Sequence, residues 1–442
     1  MENIMRFYAL LTVFLLSLPV IADQAPGSAD DKLTLIKSVK LAAENNRQIK
    51  QGQQMVLGAE AKMGESQSYR YPHLQLDANY YRLNNIPEFS IPGMGAFRMG
   101  IADNYSYKAT VSQALFAWGK ISNGIALSRT ELEISRQIAA LTEREITYAV
   151  IRVFYQLLAT QEAVKVVDDN ISLLEQRLKM MKQKYQAGEI SDFDILSTEV
   201  QISSAGGQRL DMLNGLNKLQ MQFNLILVRP VNSAVILDGA LVYNRINVDE
   251  RTAVAGALAN RIEARQIQDK EKMAQLQKDL AAAGNRPNLN AFGSWELKNG
   301  YLADLDSYKG AWTFGLTLSF PVFDGFKSRS QVRQADANLN AIRLEYEQQR
   351  QVIETEVKQA LLDIQSAWQK IEIGKLTVTQ AEMALRIAEE RYGKGLIDAL
   401  DLLNAQTVLT GARLNLLQSA YNFNLSKYNL EKVTGNEFGI GN

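Results

Sequence analysis

The 442-residue sequence contains no cysteine and only one histidine, His73. Without cysteine there is neither disulfide bonding nor thiol chemistry, and a lone histidine leaves almost no way to build a zinc or copper site. The 48 basic residues are balanced by 48 acidic ones, so no positive field attracts nucleic acid. The composition therefore predicts no metal site, no cofactor and no nucleic-acid partner.

Long hydrophobic runs are also missing after the N-terminus. Residues 1–22 have the features of a secretory signal peptide: Arg6 precedes an apolar run at 7–18, and Val20 and Ala22 place small residues at the −3 and −1 positions of a cleavage site. This run is shorter than the ~20 residues of a membrane-spanning helix. A buried N-terminal helix is the alternative. After residue 22 no uninterrupted apolar stretch is long enough to span a bilayer, so we expect an exported protein without helical membrane spans.

The chain contains an internal repeat. The segment from Tyr185 to Leu196 returns as the segment from Tyr392 to Leu403, an offset of 392 − 185 = 207. A second anchor far upstream, at residues 116–120, returns at 323–327 with the same offset. The element between the two anchors therefore has one length in both halves. Repeated units usually bury their apolar faces against their own copies, so we predict two repeats, at 23–236 and 237–442.

Each half predicts the same order of elements: a helix, two strands, a long helix, a short turn and a last helix. The first repeat has a helix from 33 to about 69, strands at about 73–83 and 104–116, a long helix at 119–186 and a helix at 191–228. The second has a helix at 252–283, strands at about 288–298 and 308–321, a long helix at 326–393 and a helix at 398–434. Each long helix would measure ~100 Å. A loop of about 20 residues separates the first two strands.

The last helix carries large apolar residues at strict intervals of seven, with small residues between them. They are Leu402, Leu409, Leu416, Phe423 and Leu430, accompanied by Ala405, Ala412, Ser419 and Ser426. Such heptads are typical of tightly packed coiled-coil neighbours. We therefore predict a mainly α fold with a small β part, in which long helical hairpins form an elongated wall.

The four predicted strands alternate between an apolar and a polar face over about ten residues, the dyad pattern of outer-membrane strands. Charged residues such as Asp77, Lys108 and Glu296 on the second face argue against the alternative, a soluble hairpin packed on the helices. Four strands cannot close a barrel, which needs about eight. Open edges in lipid would leave backbone groups unpaired. Several chains would therefore share one barrel, of 8, 12 or 16 strands for two, three or four copies.

Aromatic residues lie near the ends of these strands, where side chains contact the membrane–water interface. The candidates for such an interfacial belt are Tyr80, Tyr105, Tyr107, Trp295 and Trp312.

Two copies of this element order, each with a Tyr-x-x-Gly…Asp turn, resemble the TolC family of outer-membrane efflux proteins. The resemblance covers roughly residues 33–435 and is most specific at 185–196 and 392–403. It implies a homotrimer with a 12-stranded β-barrel in the outer membrane of a Gram-negative bacterium, above a periplasmic tunnel of 12 helices. Such proteins are passive ducts of tripartite efflux or type I secretion systems. They act with a periplasmic adaptor protein and an inner-membrane RND or ABC-type pump, and their cargo ranges from drugs and metal ions to proteins.

The two hairpin turns are the candidate functional site. Glycine at Gly188 and Gly395 suits a turn that needs positive φ, and Ile190 and Ile397 complete the turns that we expect to contact the adaptor. The resemblance implies a gate at this end, formed by Asp401, Asn404, Asp194, Tyr392 and Tyr185. In a trimer a pore-facing Asp401 becomes a ring of three carboxylates that favours cations.

The family pattern is matched unevenly at this gate. A second aspartate of the family pattern is replaced by Asn404, and an arginine of its closed-state latch is replaced by Ile397. The matched residues thus allow a Tyr392–Asp194 hydrogen bond but no accompanying salt bridge. Alternatively, Asp194 and Asp401 are helix N-terminal acids, and the tyrosines pack at helix ends.

No sequence motif indicates an enzyme. Walker A, Gly-x-Ser-x-Gly and dinucleotide-binding patterns are absent, and one histidine leaves little scope for a triad. We therefore predict that the protein is not an enzyme. An alternative to the export duct is a soluble periplasmic coiled-coil adaptor or scaffold, which would also be exported and helical but would need no lipid-facing strands.

Overall fold

The structure is a computed structural model that describes residues 32–93, 95–301 and 304–440. The predicted signal peptide at 1–22 lies outside the described residues. In chain order the elements are α1 (Leu35–Asn45), α2 (Arg47–Ser68), β1 (His73–Arg82), β2 (Glu88–Ile91), β3 (Gly95–Arg98), β4 (Asp103–Phe116), α3 (Lys120–Gln186), α4 (Asp192–Leu227), α5 (Glu250–Asn260), α6 (Ile262–Ala282), β5 (Asn288–Lys298), β6 (Lys309–Ser319), α7 (Lys327–Gly393) and α8 (Ala399–Thr434).

The two halves have the same construction. The long helices α3 and α7 both contain 67 residues, and α4 and α8 both contain 36. At 1.5 Å per residue each long helix measures ~100 Å. They begin one residue later than predicted, because Gly119 and Phe326 before them have left-handed backbone, with φ of 81° and 65°. The prediction of a mainly helical fold with a small β part and two repeats is confirmed.

Each repeat opens with two helices rather than the single helix predicted at 33–69 and at 252–283. The breaks fall at Asn46 and Arg261, whose extended backbones have ψ of 129° and 135°. Asn46 caps α2 by accepting from the Gln48 N–H at 2.9 Å and donates to the Ile226 carbonyl at 3.0 Å. Arg261 is held by carboxylates of Glu263 and Glu356. Neither break contains proline or glycine, so tertiary partners override a helical composition here.

The four long strands form one antiparallel sheet in the order β1-β4-β5-β6. Its register places the apolar faces of all four strands on one side: Tyr80 is paired with Tyr105, Trp295 with Trp312, and Gly293 with Phe314. That side is open, with Leu76 77% and Phe314 76% exposed. On the other side Lys108 is paired with Asp77 and Glu296. The outer edges of β1 and β6 have no strand beside them among the described residues.

The segment between β1 and β4, which the sequence predicts to be a loop, contains secondary structure. It contains a small antiparallel hairpin of β2 and β3, closed by a turn at Pro92 and Gly93. Gly93 has φ of 89°, a left-handed conformation that glycine adopts readily. An ion pair of 3.1 Å between Arg98 and Glu88 joins the strands at the register position where they are partners. Four-residue strands are too short for a clear periodic signal.

The helices pack lengthwise beside α3 and α7. Helices α1, α2 and α4 lie along α3, and α5, α6 and α8 lie along α7, while α3 also contacts α6 and α8 and so joins the two repeats. The heptad stripe of α8 faces α7, with Leu402, Phe423 and Leu430 buried. Among the described residues no helix is both long enough and apolar enough to cross a membrane.

Candidate functional site

The two helical hairpins turn at the same end of the bundle. The turn after α3 uses Gly188 with φ of 77°, and the turn after α7 uses Gly395 with φ of 68°. In both turns the residue after the glycine donates its N–H to a carbonyl in the last helical turn, Glu189 to Lys184 and Leu396 to Arg391. This pattern satisfies helix-end carbonyls and requires the left-handed residue between. Repeated sequence therefore produces repeated turn geometry.

A cleft of about 480 Å³ lies between the two turns. Residues of both turns line it, so Tyr392 of α7 and Asp194 of α4 face the same space. The remaining lining residues are Lys184, Glu189, Ile190, Ser191, Gly393, Gly395, Ile397, Asp398 and Ala399. The structure thus brings together the inner ends of the two hairpins, as the gate hypothesis requires.

Among the described residues, Tyr392 does not form the hydrogen bond with Asp194 that the matched residues allow. Its hydroxyl oxygen is buried and has no hydrogen-bond partner among the described residues. Burial raises the pKa of Tyr392 above its usual value, and the nearby charge of Asp194 raises it further, against a smaller opposing effect of Arg177. The Lys184 ammonium lies 5.4 Å from the centre of the Tyr392 ring, within cation–π range.

The Asp194 carboxylate is instead bonded to Ser191 at the start of its own helix. Its carboxylate accepts from the Ser191 N–H at 3.2 Å and from the Ser191 hydroxyl at 2.9 Å, which makes a capping box at the start of α4. The first turn of α8 is similar, since the carboxylate of Asp398 accepts from the Asp401 N–H at 2.8 Å. Asp194 and Asp401 are both the third helical residue, where a carboxylate is favoured by the helix dipole. The alternative reading as helix N-terminal acids therefore describes their local geometry.

The other predicted gate residues are more open. Asp401 and Asn404 are exposed one turn apart on α8, and Tyr185 is 46% exposed. Ile190 and Ile397 are half-buried, and Ile397 packs against a core cluster between α7 and α8. A pore position for Asp401 stays a prediction, because a pore would require further copies of the chain.

Sequence reasoning missed a buried polar network near the cleft. Arg177 of α3 has a side chain only 5% exposed and donates to Glu389 of α7 at 2.6 Å. It also bonds the amide oxygen of Gln406 on α8. The Gln406 amide donates to Asn170 at 2.8 Å, and Thr410 donates to the same oxygen at 3.1 Å. This network joins α3 of the first hairpin to both helices of the second, α7 and α8.

A sequence signal for the network does exist. Leu174, Arg177 and Met181 are all buried, at spacings of three and four that place them on one helical face. An arginine on an otherwise apolar stripe must find partners, because an unpaired buried charge is costly. The sequence cannot identify those partners, which lie 212 and 229 residues away.

The predicted interfacial aromatics share one end of the sheet. The rings of Tyr80 and Tyr105 are 4.9 Å apart, and Trp295 and Trp312 face each other across neighbouring strands. Tyr107 is paired with Ala78, two positions from Tyr80. Four of the five are at least 46% exposed, and all lie within five residues of the strand ends away from the long helices.

No group of three or more possible metal ligands occurs within the described ranges.

Comparison with known proteins identifies the same pattern elsewhere. A family model described as "Outer membrane efflux protein" matches residues 38–220 and 254–436, one stretch in each repeat. The outer membrane efflux protein BepC of Brucella suis biovar 1 (strain 1330) is 22% identical over 355 residues, which cover 76% of this chain and 74% of BepC. The proteases secretion protein PrtF of Dickeya chrysanthemi is 22% identical over 98% of this chain and 93% of PrtF.

Solved structures share the fold. The outer membrane protein VceC from Vibrio cholerae superposes with a TM-score of 0.80 at 17% identity, covering 91% of this chain and 96% of VceC. The similarity extends through both repeats, including the sheet and the long helices.

Proposed function

This chain belongs to the outer membrane efflux protein family, and from that premise we propose that three copies form the exit duct of a tripartite export system. The sheet would lie in the outer membrane and the long helices would extend into the periplasm. Transport would be passive, driven by an inner-membrane pump. The family consists of outer membrane channels, so the prediction of a non-enzyme is confirmed and the soluble-adaptor alternative is wrong.

The observation that carries the proposal is the open apolar face of the sheet. Leu74, Leu76, Trp312, Phe314 and Leu318 are each more than 65% exposed, and they lie on one continuous side set by the register. In water such a patch would drive association, whereas in lipid it is the expected outer surface of a barrel. The polar side, with Asp77, Lys108 and Glu296 as neighbours, suits a water-filled lumen.

The open edges of the sheet favour several copies. In the described part of the chain β1 and β6 each have an unpaired side, and hydrocarbon gives no water to satisfy those backbone groups. Pairing β6 of one copy with β1 of the next would remove every edge. Three copies would then supply 3 × 4 = 12 strands, enough for a lumen.

The helical hairpins would form the tunnel, and their turns would form its inner end. Gly188, Ile190, Gly395 and Ile397 are exposed or half-buried there, which leaves them accessible to a periplasmic adaptor. An RND or ABC-type pump would complete the system. The relatives include both an efflux protein and a proteases secretion protein, so the cargo remains open between small molecules and proteins.

We also propose that the Arg177 network holds the gate shut. Arg177, nine residues before the end of α3, and Glu389, four residues before the end of α7, connect the two hairpins near their turns. The hairpins therefore cannot separate at the tip while the pair remains bonded. The Tyr392 hydroxyl has no such partner in the part of the chain that the structure describes. In this protein the connection between hairpins would therefore depend on the network more than on the predicted tyrosine latch.

Fractionation and electrophoresis test the proposal. The protein is expected in the outer-membrane fraction, to require detergent for extraction, and to migrate as a trimer that heating converts to monomers. In planar bilayers the trimer should conduct ions. Release of monomers by osmotic shock, with no conductance, would refute it.

A further inference from the structure

The segment that follows α4 fills a groove on the first repeat. Leu33 N–H donates to the Ile236 carbonyl at 2.8 Å, and the Leu33 carbonyl accepts from Asp238 N–H at 3.0 Å, so the two segments pair as extended chains. Val235 is buried in the core cluster beside α3, and Leu237 packs against it. Gly239 lies so close to α3 that a Cβ there would be 3.1 Å from the ring of Phe154.

The second repeat has the same groove at equivalent positions. Helices α1 and α5 both have 11 residues and follow the N-caps Thr34 and Asp249, which fixes an offset of 249 − 34 = 215 for this part of the repeat. Leu33 therefore corresponds to Val248 (33 + 215). On the long helices the offset is 207, so Phe154 and Leu158 correspond to Leu361 and Gln365.

This second groove is open. A cavity of about 850 Å³ lies between the segment before α5 and helices α7 and α8, and Val248, Leu361, Gln365, Trp368 and Phe423 are among its lining residues. Leu33 is 3% exposed under its covering segment, whereas Val248 is 39% exposed. Neither the N–H nor the carbonyl of Val248 bonds to another described residue. Within the described ranges, a backbone edge that is paired in one repeat is thus unpaired in the other.

Residues 435–440, which follow α8, do not fill this groove. Helices α4 and α8 end alike, at left-handed Val228 and Gly435, but the following segments diverge. Residues 436–440 turn towards the first repeat, where Phe438 stacks on Tyr148 and lies under the Arg144 guanidinium at 5.0 Å. Gly439 N–H donates to Glu431 at 3.0 Å and fixes this course.

We propose that the open groove receives an extended segment of a second protein, which pairs with the backbone of Val248 as residues 235–239 pair with Leu33. Strand addition of this kind takes its affinity from main-chain hydrogen bonds and its specificity from side-chain pockets. The occupied groove indicates the matching sequence: aliphatic residues at alternate positions, then an acid and a glycine. Arg245 at the rim is exposed and has no ion pair with any described residue, so an acidic neighbour in the partner would be favoured.

A labelled peptide with the sequence of residues 233–241 is the probe, because it is the occupant of the equivalent groove. Fluorescence anisotropy with the full-length protein in detergent should give saturable binding, and a scrambled peptide should not bind. Val248→Pro removes the backbone donor and should weaken binding about tenfold, the effect of one lost hydrogen bond to an otherwise buried group. Gln365→Trp fills the groove and should weaken it further, whereas Leu344→Ser, an exposed position on α7 outside the groove, should leave it unchanged.

Three results would overturn the proposal. The first is no saturable binding by the wild-type protein. The second is binding that Val248→Pro and Gln365→Trp leave unchanged. The third concerns crosslinking by a photoreactive residue in place of Leu362 at the groove wall. If it joins one copy of this chain to another and the peptide cannot bind, the groove is a contact between copies.

Discussion

The gate proposal predicts that Glu389→Gln favours the open channel. The Arg177 side chain is 5% exposed and Glu389 is 45% exposed, and their nitrogen and oxygen atoms are 2.6 Å apart. Removing one partner of a fully buried ion pair costs about 3–5 kcal/mol. Because Glu389 is half in water and Gln406 remains as an acceptor, we expect about 1–2 kcal/mol per copy here. The closed state, which alone needs the pair, should lose this amount.

Single-channel recording in planar bilayers measures the effect. The ratio of open to closed time should rise roughly tenfold for each copy that must open, because about 1.4 kcal/mol corresponds to a factor of ten. A double-mutant cycle with Arg177→Gln isolates the pair, and its coupling energy should be about 1–2 kcal/mol.

The pair of Arg413 and Glu382 provides the matched control. It has similar geometry, at 2.8 Å, but both side chains are more than 40% exposed and it joins α7 to α8 within one hairpin. Glu382→Gln should change the open ratio little, since exposed pairs contribute about 0.5 kcal/mol and this one does not join the two hairpins. Equal shifts in Glu382→Gln and Glu389→Gln, or none in Glu389→Gln, would refute the reasoning.

Three further predictions concern the turns. Asp401→Asn should lower cation preference measured by reversal potentials, and unchanged potentials would show that Asp401 does not face the pore. Tyr392→Phe should leave conductance unchanged and raise the thermal unfolding temperature, because it removes a buried hydroxyl that has no partner among residues 32–93, 95–301 and 304–440. Burial raises the pKa of Tyr392 above its ordinary value of 10.0. The folded state therefore loses stability relative to the unfolded state as the pH rises above 10, and wild type should lose more than Tyr392→Phe. Parallel curves of stability against pH for the two proteins would contradict this. Gly395→Ala should destabilise by about 1 kcal/mol through its positive φ, whereas Gly411→Ala inside α8 should stabilise by a similar amount; equal melting temperatures in the two variants would contradict the turn geometry.

Much of the architecture is predictable because it is repeated and periodic. The offset of 207 fixes the equal lengths of α3 and α7, and alternation in the strands identifies the apolar face that the register then unites. The heptads of α8 identify the face that packs on α7. These signals are local in sequence and recur many times, so no single contact decides them.

What the sequence could not supply depends on distant partners. Asn46 and Arg261 break helices of good composition because each is held by a residue far along the chain. The sequence around Arg177 does not identify its partner, and the ion pair is evident only once the fold brings Glu389 opposite it. The Asp194 carboxylate is bonded to Ser191 rather than to Tyr392 for the converse reason: Ser191 is three residues away and reaches it at less entropic cost than Tyr392.

The most direct test of the central claim concerns Trp312, which is 72% exposed on the apolar face of the sheet. A variant that keeps Trp312 as its only tryptophan is reconstituted into brominated-lipid vesicles, beside one that keeps only Trp368 of α7. We expect trimers in which Trp312 fluorescence is quenched and Trp368 fluorescence is not. Monomers that stay in the aqueous phase with Trp312 unquenched would contradict it.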